Sequence, residues 1–408
     1  MRTVTSLDRL SGWGALDGPP HRILIDCSLL HIGGGIQVGL AVLRKAAETP
    51  GVHWSALVSE EVDRQLPSDR GAFHHYGIAR RLLKPIGNWL PPRGLRAFAA
   101  RVRAEVVFTV FGPPYERVDC AHLVGLAVGR LLYPEVHLPK HAHLVARLQT
   151  SVRDYAVRRR VTHGDYFVVE TPVVKERLAS MSEIAPSRIF VVPNGCSPAF
   201  LSRLRETTAV SNAERFRILV PSGYYPHKNL EVIPMVANIL RERGHDQFEF
   251  VLTLGQETAQ WRDLVASARR FGVERHLVTA GVQRHAEIAR LYAGADATFL
   301  PSLVECSTAV YPESFAAEVP VVTSDRDFAR VGCADAALYF DPLDPPSAAV
   351  QIERLMLDGS LRTELAARGK LTLKMNYLSP EEKWGQQLNL LLDIARAFRQ
   401  EGSADRRG

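Results

Sequence analysis

The chain is poor in cysteine and has no long apolar run. Its five cysteines, Cys27, Cys120, Cys196, Cys306 and Cys333, are odd in number and widely scattered, with no Cys-x-x-Cys spacing and no paired Cys/His clusters. Neither a disulfide framework nor a zinc site follows from such a pattern. No stretch approaches the roughly 18 to 20 consecutive apolar residues that a membrane helix needs, which argues against an integral membrane protein. Residues 1–20 carry Arg2, Asp8, Arg9 and Asp17 and no continuous apolar core, so a secretory signal is not expected and a disordered start is. The polar tail after Gly402 is expected to be disordered as well.

What is present suits a soluble globular protein: 408 residues, 46% hydrophobic and 23% charged. That length is too great for one compact core and fits two domains. The formal charge of +6 and a pI near 9.1 permit an anionic partner, but the distribution is more informative than the sum. Between Arg80 and Arg103 lie seven basic residues and no acid, interleaved with Leu82, Leu83, Ile86, Trp89, Leu90, Leu95 and Phe98. A basic, aromatic-containing segment of this kind suits the surface of an anionic bilayer. Nucleic acid is not an expected partner, because no reading module accompanies the basic residues.

Short apolar strands alternate with helical stretches along the whole chain, which predicts parallel sheets covered on both faces. Strands are expected at Arg22–Asp26, Val52–Val58, Val106–Val110, Leu144–Gln149, Tyr166–Glu170 and Ile189–Val192. After a polar stretch over 198–214, taken as a hinge, the pattern restarts. Strands then follow at Phe216–Pro221, Phe248–Leu254, His276–Ala280, Ala297–Leu300 and Val319–Thr323, with helices between them. The fold class is therefore α/β, two doubly wound Rossmann-like domains facing across a cleft, with bounds 21–200 and 201–378. A last helix, residues 379–401, carries Trp384, Leu388, Leu391, Leu392 and Ala395 at helical spacing and is expected to pack back towards the first domain.

Open α/β sheets bind ligands beyond the carboxyl ends of their strands. Glu305 follows the expected strand Ala297–Leu300, and Glu313 falls in the first turn of the next helix, so both border one crevice. Thr308 and Ala309 lead into that helix, whose free N–H groups suit an anion and can stand in for a metal. Lys228, in the turn after Phe216–Pro221, can supply a cation, and Gly223 lets the backbone pass close to a phosphate. Gly33-Gly34-Gly35 follow the first strand, but the spacing to Gly39 is one residue too long for a dinucleotide fingerprint. Asp325-Arg-Asp327 has the form of a metal motif, but two aspartates one apart in a loop are common by chance. No metal is expected there.

Several motifs agree in order and spacing with one family. They are Gly34-Gly35-Ile-Gln, Ile189-Phe-Val-Val-Pro-Asn-Gly195, Pro226-His-Lys-Asn229, Ala289-Arg-Leu-Tyr-Ala-Gly-Ala-Asp296, Phe299-Leu-Pro-Ser302, the Glu305-x7-Glu313 pair and Asp335-Ala-Ala-Leu-Tyr-Phe-Asp-Pro342. In these the chain resembles the GT-B glycosyltransferases of the retaining family called group 1 or GT4. It departs from them at Glu305-Cys-Ser-Thr, which loses both glycines of the usual Glu-Gly-Phe-Gly, and at Gly223, where an Arg or Asn is usual. Thr-Ala-Val-Tyr-Pro-Glu resembles a variant common among bacterial cell-surface polysaccharide transferases.

The resemblance implies transfer of a hexose, with retention, from a nucleotide-diphosphate sugar to a lipid-linked saccharide acceptor in cell-surface polysaccharide synthesis, by a cytoplasmic protein peripheral on the cytoplasmic face of the inner membrane. It implies that Glu313 holds the ribose and that Glu305 contacts the donor sugar. Gly34 and Gly35 would approach the donor phosphates or the acceptor, and the loop after Val278-Thr-Ala-Gly-Val282 would select the base. His122 is the candidate for a first-domain histidine near the reacting sugar, with His141 and His143 behind it. No cofactor is expected beyond the donor itself. The alternatives are a non-catalytic partner subunit and a nucleotide-sugar epimerase of the same fold.

Overall fold

The computed structural model describes residues 19–31, 33–66, 70–79, 94–136, 155–207, 214–284 and 287–404. The expected strand Leu144–Gln149, the basic residues from Arg80 to Arg93, His141 and His143 lie outside the described residues.

Thirteen described strands form two all-parallel sheets. The first contains β1 (His21–Cys27), β2 (Val52–Ser59), β3 (His75–Ala79), β4 (Val106–Thr109), β5 (Ala121–Gly125), β6 (Tyr166–Val169) and β7 (Ile189–Val191), in the order β3-β2-β1-β4-β5-β6-β7. The second contains β8 (Phe216–Val220), β9 (Phe248–Leu252), β10 (Leu277–Thr279), β11 (Ala297–Leu300), β12 (Val321–Ser324) and β13 (Ala337–Phe340), in the order β10-β9-β8-β11-β12-β13. Strands buried on both faces must be apolar nearly throughout. In β1, Ile23 and Ile25 enter the core on one face while Leu24 enters another cluster on the opposite face.

In each sheet the strand order reverses beside the first strand, between β1 and β4 and between β8 and β11. At such a reversal the helices leave to opposite faces and open a crevice. The turns after β8 and β11 carry Lys228 and Glu305, so the second-domain crevice lies where those two residues were expected.

Two helix starts near the domain boundary follow side-chain capping. Thr171 and Ser197 accept the N–H of Val174 and Phe200, each followed directly by a proline in the first turn, where a missing N–H costs nothing. The stretch expected to be a hinge over 198–214 therefore begins with a helix, Pro198–Glu206. Phe200 packs edge-on against Tyr292 of the second domain.

The real crossing lies just before it. Leu378 donates its N–H to the Asn194 carbonyl at 3.1 Å, and a β-carbon at Gly195 would fall 1.9 Å from the Leu378 carbonyl oxygen. The chain thus passes between the domains twice with its two crossings in contact, and only glycine fits.

The final helix, Pro380–Ala404, returns to the first domain. Trp384, Leu388, Leu391, Leu392 and Ala395 are all buried in the core of the first sheet. The Trp384 indole donates to Thr49 Oγ1 at 2.9 Å, and Arg399 binds Glu105.

Candidate active site

Lys228 ends a short 3-10 turn, Pro226–Lys228, that follows β8. Asn229 then takes a left-handed conformation at φ 54°, tolerable for asparagine, and its amide donates to the Pro342 carbonyl. The Leu303 N–H donates to the His227 carbonyl at 2.7 Å, tying this turn to the loop after β11. The result is an ion pair: Lys228 Nζ lies 2.5 Å from Glu305 Oε1, which also accepts the Ser302 hydroxyl at 2.7 Å. Both side chains are largely buried, at 15% and 8% exposure. A pair this shielded persists only because each charge compensates the other.

Glu313 lies in the first turn of the helix Val310–Ala316, as expected, but deep in the protein at 3% exposure. Its Oε2 accepts the Tyr292 hydroxyl at 3.0 Å. Burial pushes the carboxyl up to about 8, against the smaller lowering effect of the Tyr292 bond. The acceptor-only carboxylate expected from the sequence is thus a mostly neutral acid at pH 7, able to donate as well as accept.

The first domain meets this site through its glycine turn. Gly33 has φ 68°, and a β-carbon there would lie 3.3 Å from the Tyr225 hydroxyl. The backbone demand in the triplet therefore falls on Gly33. A β-carbon at Gly34 would meet nothing within 4 Å, and at Gly35 it would make ordinary contact with Leu30 and Phe111. Tyr225 stacks on His227 with ring centroids 5.6 Å apart, and burial holds the His227 imidazole below its usual range. Gly223 is exposed in the same turn.

Thr308 is buried and accepts the Val310 N–H. Ala309 sits immediately before the helix. Val282 is 78% exposed.

His122 does not reach the cleft. It belongs to β5, not to a loop, and is fully buried. Its Nε2 lies 2.8 Å from Thr109 Oγ1, whose hydroxyl also bonds Asp26 at 2.8 Å. If Thr109 donates to the Asp26 carboxyl, as a carboxyl acceptor favours, His122 donates through Nε2–H. Burial lowers the imidazole to about 4, so it is a neutral core histidine. The Asp-x-Asp residues are committed elsewhere: Asp325 to Arg330 at 2.7 and 2.8 Å, and Asp327 to Arg177 and Tyr133 of the first domain.

The described end of the basic segment is less bare than its local sequence. Arg96 pairs with Asp119, Glu116 accepts the N–H groups of Gly94 and Arg96, and Arg101 lies over the Phe98 ring. These acids come from beyond Arg103.

A cavity of about 250 Å³ opens on the hinge side of Glu305, between the domains. Glu305, Cys306, Ser307 and Thr308 form one wall, and Glu170, Thr171 and Asn194 form the opposite one. Glu170 and Tyr292 escaped the sequence reading. Glu170 directly follows β6, whereas Glu305 lies in the loop beyond β11, and Tyr292 stands inside the Ala289–Asp296 motif.

Residues 206–372 match the family model "Glycosyl transferases group 1". The two-sheet fold is shared with sucrose-phosphate synthase from Thermosynechococcus elongatus, at TM-score 0.68 and 16% identity over 94% of this chain and 100% of that one. It is also shared with WaaG, a glycosyltransferase involved in lipopolysaccharide biosynthesis, at 0.67 and 15% over 89% and 98%. HepE from Anabaena, solved with UDP and glucose, matches at 0.64 and 14% over 91% and 100%. No curated protein sequence matches the chain. The fold is GT-B, and the domain that matches the glycosyltransferase group 1 model carries the Lys228–Glu305 pair.

Among the described residues, no helix is long and apolar enough to cross a membrane.

Proposed function

We propose that this protein moves a hexose from a nucleotide-diphosphate sugar to a saccharide acceptor with retention of anomeric configuration. The observation that carries the reading is the Lys228–Glu305 pair at the sheet reversal, facing the Gly33 turn across the cleft. The bond from the anomeric carbon to the phosphate oxygen breaks and its electron pair leaves with the diphosphate. The acceptor oxygen bonds the same face of that carbon, and its proton passes to the departing phosphate.

Lys228 offsets the charge that develops on the leaving group, and Glu305 holds sugar hydroxyls. Gly34, Gly35, Gly223, Thr308 and Ala309 border the phosphates, Glu313 takes the ribose, and the loop at Val282 meets the base. HepE supports this reading because its solved complex holds UDP and glucose.

A thermal-shift screen with UDP, GDP, ADP and dTDP tests the nucleotide site. One diphosphate stabilises the fold by about 2.7 kcal/mol at a hundredfold excess over its dissociation constant, and Glu313→Ala abolishes the shift. Absence of any shift would favour a non-catalytic partner subunit. An inverted product by NMR would remove the retaining mechanism.

The acceptor we favour is lipid-linked, in cell-surface polysaccharide synthesis, approached through the basic segment from Arg80 to Arg103 at an anionic membrane surface. Flotation with anionic vesicles tests that contact: replacing the segment's arginines releases the protein, and unchanged flotation sinks the idea.

A further inference from the structure

Glu305 is not the only carboxylate that the cleft presents. Glu170 closes β6 in the first domain, across the hinge-side cavity from Glu305. The two are built alike. Lys228 Nζ stands at 2.5 Å from Glu305, and Lys383 Nζ stands at 2.8 Å from Glu170 Oε1 and at 2.8 Å from Asn194 Oδ1. Glu170, Asn194 and Glu305 line the cavity, whereas the two lysines do not. Each ammonium therefore sits behind its acid, and the oxygens are what a ligand meets.

The walls are also held together. The Thr171 hydroxyl donates to the Cys306 carbonyl across the domain boundary at 3.4 Å, and Asn194 is held by the Leu378 N–H and by Lys383. The volume, about 250 Å³, falls just below the roughly 300–1,000 Å³ of ordinary small-molecule sites. It suits one sugar ring and not an oligosaccharide. Tyr377 and Met375 add apolar surface, as the ring face of a pyranose requires.

We propose that Glu170 is a specificity-determining residue that, opposite Glu305, makes this cavity a site for one neutral or aminated hexose unit and excludes an acidic sugar. The inference rests on the glycosyltransferase reading above and deepens it. Hydroxyls and an ammonium donate to carboxylates, whereas a uronate brings a third negative charge against two acceptor-only walls whose cations are already engaged.

The test is saturation-transfer NMR on the full chain with glucose, galactose, mannose, glucosamine and glucuronate. It is paired with the nucleoside-diphosphate thermal shift on the same samples. At least one neutral or amino hexose binds, and glucuronate binds about tenfold more weakly or not at all. In Glu170→Gln the affinity for that hexose falls about tenfold and discrimination against glucuronate is lost. The diphosphate shift stays unchanged.

Two results overturn the proposal while leaving the nucleotide reading intact. One is a diphosphate shift with no sugar bound. The other is sugar binding whose selectivity ignores Glu170→Gln, all sugars weakening alike, which marks Glu170 as a support of the hinge. If neither diphosphate nor sugar binds, both readings fall together.

Discussion

Glu305 and Glu313 leave the same strand eight residues apart and end in opposite settings. Glu305 meets Lys228 and Ser302 at the edge of a cavity, with a cation at 2.5 Å. Glu313 meets a tyrosine hydroxyl inside the core, where burial pushes it up to about 8. The same functional group is thus a paired anion in one place and a mostly neutral acid in the other, and the neighbour decides which. A carboxylate backed by a cation can accept sugar hydroxyls without changing its charge. A neutral acid can share a diol as donor and acceptor, and it charges when the pH rises.

The difference can be broken from either side. The largest effect is expected from Lys228→Met, which leaves Glu305 in Glu313's position, an acid without its cation. Transfer should fall by about 10²–10³ in kcat, and the fold should lose about 3 kcal/mol, read by kinetics and by melting.

Next comes Glu313→Gln. Between its ordinary value of 4.5 and about 8, folded Glu313 keeps a proton that the unfolded chain has lost. Its contribution to stability is therefore complete below 4.5 and is lost as pH rises through 8. The Gln variant lacks that loss and should melt higher than the parent at pH 8.5 by on the order of 2 kcal/mol, with the difference vanishing towards pH 4.5. A constant offset across that range would contradict the assignment.

Tyr292→Phe should act more mildly. Its hydroxyl lowers Glu313, so removing it moves the midpoint of that pH dependence upward and costs about 1 kcal/mol. Ser302→Ala should have the smallest effect. One of the two bonds on Glu305 goes, kcat/KM drops about fivefold, and the melting temperature barely changes.

Much of the architecture is legible from apolar runs, because strands buried on both faces leave little freedom of composition. The exceptions have physical causes. β3 is a short edge strand, half exposed and interrupted by Gly77. β5 carries His122, which reads as polar until Thr109 and Asp26 supply its partner. The helix Gly359–Asn376 leaves Leu371 and Met375 exposed, so its apolar residues mark no single face.

At the site, Lys228 and Glu305 are each legible from their place after a strand, but their pairing is not. Seventy-seven residues separate them, and only the parallel alignment of β8 with β11 brings the two turns together. Glu313's position is legible as a helix start. Its proton is not, because that depends on how deeply Val310–Ala316 sinks beneath Tyr292.

The return of the last helix to the first sheet has a bearing on synthesis. Trp54 waits for Trp384, whose ring centroid lies 5.7 Å away, and Glu105 waits for Arg399. As the chain emerges from the ribosome, the first domain holds an open apolar face throughout production of the second, although N-terminal domains usually finish first. Its folding is completed only after residues beyond the second domain are made, so a chain that stops before Trp384 strands its first domain unfinished.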